Sequence, residues 1–283
     1  MIPDRTSYAE RVFTNRNLRM NGIEAIGFDM DYTLAIYKTE LEFLAARLAL
    51  EVMVRDFGYP EAIAEIEYDP SFALRGVVVD KKHGNIFKMD GHRHVGRVFH
   101  GMNRLKKAQL KRMYRRDRVR LTTERYGPLD TLFEVPETYL YARMVAMFDA
   151  GEIAPGGSMP YRKLFEDIRT SIDQIHKDGT LKAEVLRDPG KYIERDPELA
   201  RTLDHFRAVG KKLFVITNSE WYYTDAVMTF LLDGQMEGYA SWRDYFEHVV
   251  VFARKPRFFT GRAPFLRVDE GGKPADERVH GLE

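Results

Sequence analysis

The stretch that most constrains this chain runs Gly22-Ile23-Glu24-Ala25-Ile26-Gly27-Phe28-Asp29-Met30-Asp31-Tyr32-Thr33-Leu34. Its apolar residues, Ile23, Ala25, Ile26 and Phe28, predict a short buried strand that ends in two aspartates one residue apart. Alternate residues of a strand point to the same side. At a strand end the chain can also curl, so both carboxylates and the amides between them can face one small volume. Two carboxylates that close repel unless a cation or a proton lies between them. A hard divalent cation with oxygen ligands, Mg2+, is the natural occupant. Such a site suits phosphoryl transfer through an aspartyl-phosphate. Asp29 would attack phosphorus, and Asp31 would protonate the leaving oxygen and then activate water. The plain alternative is an Asp-x-Asp in an ordinary acidic loop, and the strand feeding straight into it argues against that.

At 283 residues, 44% hydrophobic and 12% aromatic, the chain can bury one large domain or two ordinary ones. Lys and Arg number 44 against 43 Asp and Glu, so the net charge of +1 singles out no nucleic-acid, membrane or acidic partner. With no cysteine, disulfides, thiolate metal sites and cysteine nucleophiles are excluded, which fits a reducing cytoplasm. Residues 1–10 lack the apolar segment of a signal peptide, and no run reaches the roughly 18 apolar residues of a membrane span. The expectation is a soluble, cytoplasmic protein without repeats.

After the acidic motif, residues 41–53 space their apolar side chains at three and four, predicting a helix that Gly58-Tyr59-Pro60 stops. Residues 74–80 and 85–90 read as two strands joined by Lys81-Lys82-His83-Gly84, with a third strand over 95–99. This β-rich block interrupts the helical pattern and reads as part of an inserted cap. Residues 104–120 are the most basic stretch, including Lys106, Lys107, Lys111, Arg112, Arg115, Arg116, Arg118 and Arg120. An anion or nucleic-acid patch is one reading; with Tyr114 the one aromatic in the stretch, a solvated helix or an oligomer contact is the better one. Helices follow to Phe148 and over 161–177; on the latter Arg169, Asp173, His176 and Lys177 share a face. By spacing alone they are an ion pair with polar neighbours.

A helix over 199–209 leads to the strand 213–216 and then Thr217-Asn218-Ser219. A hydroxyl and amides at a strand end before a helix make either an anion site or a simple helix cap. Residues 245–252 predict the next strand, before Ala253-Arg254-Lys255-Pro256.

These motifs in this order resemble the haloacid-dehalogenase (HAD) superfamily. GFDMDYTLAIYK (27–38), TNSEWYYTDAVMTFLLD (217–233) and ARKPRFF (253–259) look more narrowly like the cytosolic purine 5′-nucleotidases of IMP/GMP type. The resemblance implies an α/β fold, a HAD-like Rossmannoid parallel-sheet core from residues 1–40 and 197–283, with a large α+β cap from 41–196. It implies Mg2+-dependent hydrolysis of purine nucleoside monophosphates. Asp29 is then nucleophile, Asp31 general acid and base, and Thr217 and Lys255 hold the phosphoryl group beside Asn218 and Ser219. The Asp29 side chain and the Asp31 carbonyl would ligate the metal. Asn103, Arg169, Asp173 and His176 would read the nucleoside, with Lys182 reaching the phosphate.

The sequence departs from the family in three places. Met102 in His100-Gly101-Met102-Asn103 replaces an aromatic that stacks on the base, leaving a softer thioether contact. Lys177 replaces a tyrosine. No fourth, acidic motif on an apolar strand follows Lys255; only Asp269, Glu270, Asp276, Glu277 and Glu283 remain. The expectation is a fragment or a shortened relative, whose first strand has an open edge that a homo-oligomer could cover. Competing readings are a non-catalytic nucleotide-binding or scaffold protein, a HAD phosphatase for another phosphorylated metabolite and, more distantly, a nucleic-acid binder acting through 104–120.

Overall fold

The computed structural model describes residues 18–72, 76–114, 119–262, 264–269 and 272–279. In chain order the elements are β1 (Ala25–Phe28), β2 (Ile36–Tyr37), α1 (Thr39–Phe57), β3 (Val77–Asp80), β4 (Asn85–Met89), β5 (Val95–His100), β6 (Asn103–Arg104), α2 (Lys107–Tyr114) and β7 (Tyr126–Leu129). Then come α3 (Val135–Asp149), α4 (Pro160–Lys177), α5 (Thr180–Arg187), α6 (Pro189–Tyr192), β8 (Ile193–Glu194), α7 (Pro197–Ala208) and β9 (Lys212–Ile216). The last are α8 (Trp221–Leu232), β10 (His248–Val250), α9 (Arg257–Thr260), β11 (Phe265–Val268) and β12 (Pro274–Val279). The chain divides into two compact units. The first comprises Met1–Met30, Asp196–Thr224 and Leu231–Glu283, and the second Asp31–Arg195 with Asp225–Phe230.

In the first unit a three-stranded parallel sheet has the order β1-β9-β10. Phe28 and Val249 both pair with Val215 of the central strand. Strand β9 is buried through Leu213 and Val215. Strand β1 corrects the expectation of a buried strand: Ala25 and Gly27 are exposed, and Ile26 and Phe28 only half-buried. Among the described residues its one neighbour is β9, so its apolar side chains are covered unevenly; Phe28 packs against Phe206 and Phe246, each with ring centroids 6.5 Å away.

Helix α7 begins where Asp196 Oδ1 accepts from the Glu198 amide at 2.9 Å, satisfying a donor that has no partner within the helix. The strand expected over 245–252 is shorter. Trp242–Tyr245 form a 3-10 turn closed by a Ser241–Asp244 capping box, and extended pairing is confined to His248–Val250. A second correction concerns the acids after Lys255. Asp269 does follow an apolar strand, but in the turn of the antiparallel β11–β12 hairpin, where its Oδ1 accepts from the Lys273 amide at 2.8 Å.

In the second unit β6-β5-β4-β3-β7 form an antiparallel sheet. The expected hairpin is there, with Gly84 at φ 68° closing the Lys81–Gly84 loop. One face carries a cluster of Val78, Phe87, Val98, Tyr114, Val119 and Tyr126. Helix α1 buries Leu41, Leu44, Ala45, Leu48, Ala49 and Val52, the apolar stripe of the sequence, and ends at Gly58 with φ 70°. Helices α1 and α3 both pack on α4. Gly127 lies under the buried Phe165 ring, and a Cβ there would come within 2.6 Å of it. Phe165 is held in turn by Tyr141, so it cannot swing away freely. Gly127→Ala is therefore expected to lower stability by about 1–3 kcal/mol, read by chemical denaturation; unchanged stability would show that the ring relocates at little cost.

The basic stretch is only partly covered. Lys107, Lys111 and Arg112 lie exposed on α2, Lys106 just before it is exposed too, and 115–118 fall outside the described residues, as do 1–17. Among the described residues no helix is long and apolar enough to cross a membrane.

Candidate active site

In the first unit the parallel sheet places Asp29 just past the end of β1 and Thr217 just past β9. The Asp29 carboxylate is partly open to solvent, its Oδ1 accepting from the Met30 amide at 2.8 Å and its Oδ2 facing Lys255 Nζ at 2.7 Å. Lys255 is the more buried partner, its side chain 18% exposed against 43%. Its ammonium also donates to the Ile216 carbonyl at 2.8 Å.

Two strand-end loops hold that lysine. The Ala253 amide donates to the Thr217 carbonyl and the Phe252 amide to the Ser219 carbonyl, each at 2.9 Å. Asn218 Oδ1 accepts from the Lys255 amide at 2.6 Å, and Asn218 Nδ2 donates to the Lys255 carbonyl at 3.3 Å. Phe252 and Arg254 take positive φ, 50° and 59°, a conformation that costs a non-glycine residue on the order of 1–3 kcal/mol and persists only where surrounding bonds impose it. The Thr217 side chain is fully buried, and its Oγ1 accepts from the Ser219 amide at 3.1 Å. Thus Thr217, Asn218, Ser219, Asp29 and Lys255 are brought together. Asn218 grips the lysine loop, a role that no local pattern around it signals.

Asp31 opens the second unit. Its Oδ1 accepts from the Tyr37 hydroxyl at 2.7 Å. Tyr32, at φ 56°, donates its amide to the Ala35 carbonyl at 2.8 Å and closes the turn after the motif. The Tyr32 ring lies 5.1 Å from Tyr37 and 4.8 Å from Phe133. Burial, with the Glu42 and Asp31 carboxylates adding to it, pushes the Tyr32 phenol well above its usual range, so it stays protonated.

Phe133 meets His176 edge to face at 5.4 Å. Burial, then the Lys182 ammonium, pushes His176 down to about 4, so it is a neutral imidazole at pH 7. Tyr32, Glu42, Phe133 and His176 line one small cleft. Phe133 carried no signal in the sequence, being one aromatic among many.

Arg169 on α4 is clamped by two glutamates. Its Nε donates to Glu137 Oε2 at 2.8 Å, and its Nη1 meets Glu134 Oε1 at 2.8 Å. Its guanidinium lies 5.5 Å from the Phe165 ring centre. Asp173 is exposed one turn further on. Asn103 is exposed beside the Gly101-Met102 turn of the β5–β6 hairpin; among the described residues no side-chain hydrogen bond joins it to Arg169, Asp173 or His176. A cavity of about 180 Å³ lies elsewhere in this unit, lined by Val77, Ile86, Phe87, Lys88, Arg97 and Phe99.

In the first unit the candidate oxygen ligand for Mg2+ is the Asp29 carboxylate. Among the described residues no group of three or more His, Asp or Glu converges as a metal cage. A single carboxylate suits a cation that keeps several waters and takes further ligands from a substrate phosphate.

The sequence pattern of the 5′ nucleotidase family matches residues 12–281. A 5′-nucleotidase domain-containing protein of Dictyostelium discoideum is 32% identical over 259 residues, which are 90% of this chain and 43% of that relative. The chain thus spans less than half the length of the curated relative it matches.

Proposed function

Because the chain belongs to the 5′ nucleotidase family, we propose that it hydrolyses purine nucleoside 5′-monophosphates on a HAD-like core, with residues 41–196 as the recognition cap. The observation that carries this reading is the 2.7 Å pair of Asp29 and Lys255 at the ends of parallel strands, with the lysine loop locked by Asn218. A carboxylate open to solvent beside a fixed cation can accept a phosphoryl group whose negative charge the cation offsets.

The chemistry balances in two steps. An Asp29 oxygen bonds to phosphorus as the bond from phosphorus to the ester oxygen breaks, and that oxygen takes a proton from Asp31. Water then returns a proton to Asp31 as its oxygen bonds to phosphorus and the Asp29–phosphorus bond breaks. Lys255 holds its charge against the transferring group throughout, and Ser219 and Thr217 shape the loop beneath it. Bound Mg2+ supplies further charge neutralisation at the phosphate. The neutral His176, Arg169, Asp173 and Asn103 recognise the nucleoside, and Lys182 adds positive charge near His176. Phe133 offers the aromatic surface that Met102 lacks. The setting proposed is the cytoplasm.

Phosphate release from IMP, UMP and ribose 5-phosphate tests this reading. Turnover of IMP in Mg2+, lost on adding EDTA and restored by excess Mg2+, is the expected result, with UMP at least about tenfold slower in kcat/KM. A folded chain that releases no phosphate from IMP would refute hydrolysis. Equal rates on all three esters would refute purine recognition and favour a phosphatase of broader substrate range.

A further inference from the structure

We infer that Glu134 is a positioning residue for Arg169, fixing the plane in which the guanidinium meets the base; this rests on the reading of Arg169 as a residue that recognises the nucleoside. Glu134 closes the 3-10 turn Leu132–Glu134 that leads into α3. Its side chain is 17% exposed, and its Oε1 lies 2.8 Å from Arg169 Nη1.

Both ends of that contact are anchored. On the glutamate side, the other oxygen, Oε2, accepts from the Asp130 amide at 2.9 Å, the Thr131 amide at 2.8 Å and the Thr131 hydroxyl at 3.0 Å. Three donors hold one oxygen and leave the second to the arginine. On the arginine side, Nε donates to Oε2 of Glu137 at 2.8 Å, and the guanidinium stands 5.5 Å from the Phe165 ring centre. Acceptors on two different nitrogens fix the guanidinium within its plane, and the ring borders it.

The consequence follows from the donors that remain. A guanidinium carries five N–H groups in a rigid fork. Glu137 takes the Nε hydrogen and Glu134 one from Nη1; among the described residues no hydrogen bond takes the two on Nη2. The Arg169 side chain is 31% exposed, so a ligand can reach it. With two glutamates beside it, Arg169 is poorly suited to attracting an anion and well suited to donating along fixed lines to the acceptors on a base edge. Because the side chain is already ordered, binding loses little of its freedom. Without Glu134 the fork could turn on its stem, at a cost in binding the base and little in the chemical step.

Glu134→Gln is nearly isosteric. Its one oxygen stays with the three donors, which an amide nitrogen cannot accept, so the NH2 group faces Arg169 Nη1, donor against donor. The measurement compares IMP with ribose 5-phosphate, which has no base. The expected result is a rise in KM on IMP of about tenfold or more with kcat within about threefold, and a change in kcat/KM on ribose 5-phosphate of less than about threefold. An equal loss on both esters would show a merely structural role and overturn the inference, as would an unchanged KM on IMP. Where ribose 5-phosphate turns over too slowly, orthophosphate as a competitive inhibitor of IMP hydrolysis gives the base-free comparison. Its inhibition constant is expected to hold, and a rise matching that in KM would overturn the inference. A wild-type chain that releases no phosphate from IMP would overturn the hydrolase reading alone. The role of Glu134 is then read from inosine binding by calorimetry, expected to weaken about tenfold in Glu134→Gln; equal binding, or none, would overturn the inference. Arg169→Lys keeps the charge and removes the fork. In that background Glu134→Gln is expected to add less than about twofold to KM on IMP, because its effect passes through the fork, and a fully additive loss would overturn the inference. Should Glu134→Gln not fold, Arg169→Lys alone is expected to give the same base-selective loss. An unchanged KM on IMP would then overturn the inference by showing that charge without direction suffices.

Discussion

Asp29→Asn is expected to cut phosphate release from IMP on the order of 10⁴-fold or more, because an amide cannot form the acyl phosphate through which the reaction is proposed to pass. The substitution is nearly isosteric and keeps an oxygen that can accept from the Met30 amide. Its cost to the fold is small. The pair with Lys255 is partly exposed on the aspartate side, 43%, and ion pairs of that kind contribute about 1 kcal/mol or less. Lys255 also retains the Ile216 carbonyl as a partner. The measurement is single-turnover phosphate release beside thermal unfolding of the same preparation. A variant with an unchanged unfolding temperature and more than a hundredth of the wild-type rate would remove Asp29 as nucleophile.

The second large effect is in stability and is set by pH. Glu137 is 2% exposed in α3, and burial pushes its carboxyl up to about 8 although Arg169 opposes the rise. The contact with Arg169 alone would argue for a carboxylate, but burial is the larger influence. Arg169 also keeps Glu134 as a charged partner, and its Nε can donate to a neutral carboxyl as well. In the unfolded chain a glutamate titrates near 4.5. Between that value and about 8 the folded protein holds one proton more than the unfolded one. The stability from this group is therefore complete at low pH and is lost as pH rises, by about 1.4 kcal/mol per unit where only the unfolded state has ionised. His176 acts oppositely, since its lowered value makes stability rise with pH, but only up to about its unfolded value of 6.5. Denaturation at pH 6.5, 7.25 and 8 thus isolates Glu137. The wild type is expected to weaken steadily over that range, and Glu137→Gln to remove that decline. A flat wild-type profile would mean that Arg169 holds Glu137 ionised.

How much of this was legible before the fold was known divides by the range of the interactions. The hairpin at Lys81–Gly84, the stripe of α1, the length of α4 and the acidic pair ending an apolar run are local patterns, set by backbone periodicity and turn stereochemistry within a few residues. They place Asp29, Asp31, Thr217 and Lys255 at the ends of short elements. The proposed chemistry starts from the same local pattern, because a strand-end Asp-x-Asp limits which cations and which reactions can be served.

What pairs across the chain was not legible. Strand β1 reads as buried because its residues are apolar, yet an edge position exposes half of it, and edge or centre is decided by which strands arrive beside it. Asn218 and Lys255 are 37 residues apart, Arg169 and Glu137 are 32 apart, and nothing in the sequence near either residue names its partner. Even Tyr37 and Asp31, six residues apart, meet only because β8 pins β2. By itself the sequence determined the local elements and the kinds of side chain at their ends. The tertiary structure alone decided which carboxylate faces a lysine, which an arginine and which a phenol, because hydrogen bonds act over about 3 Å and only the packed chain brings distant residues that close.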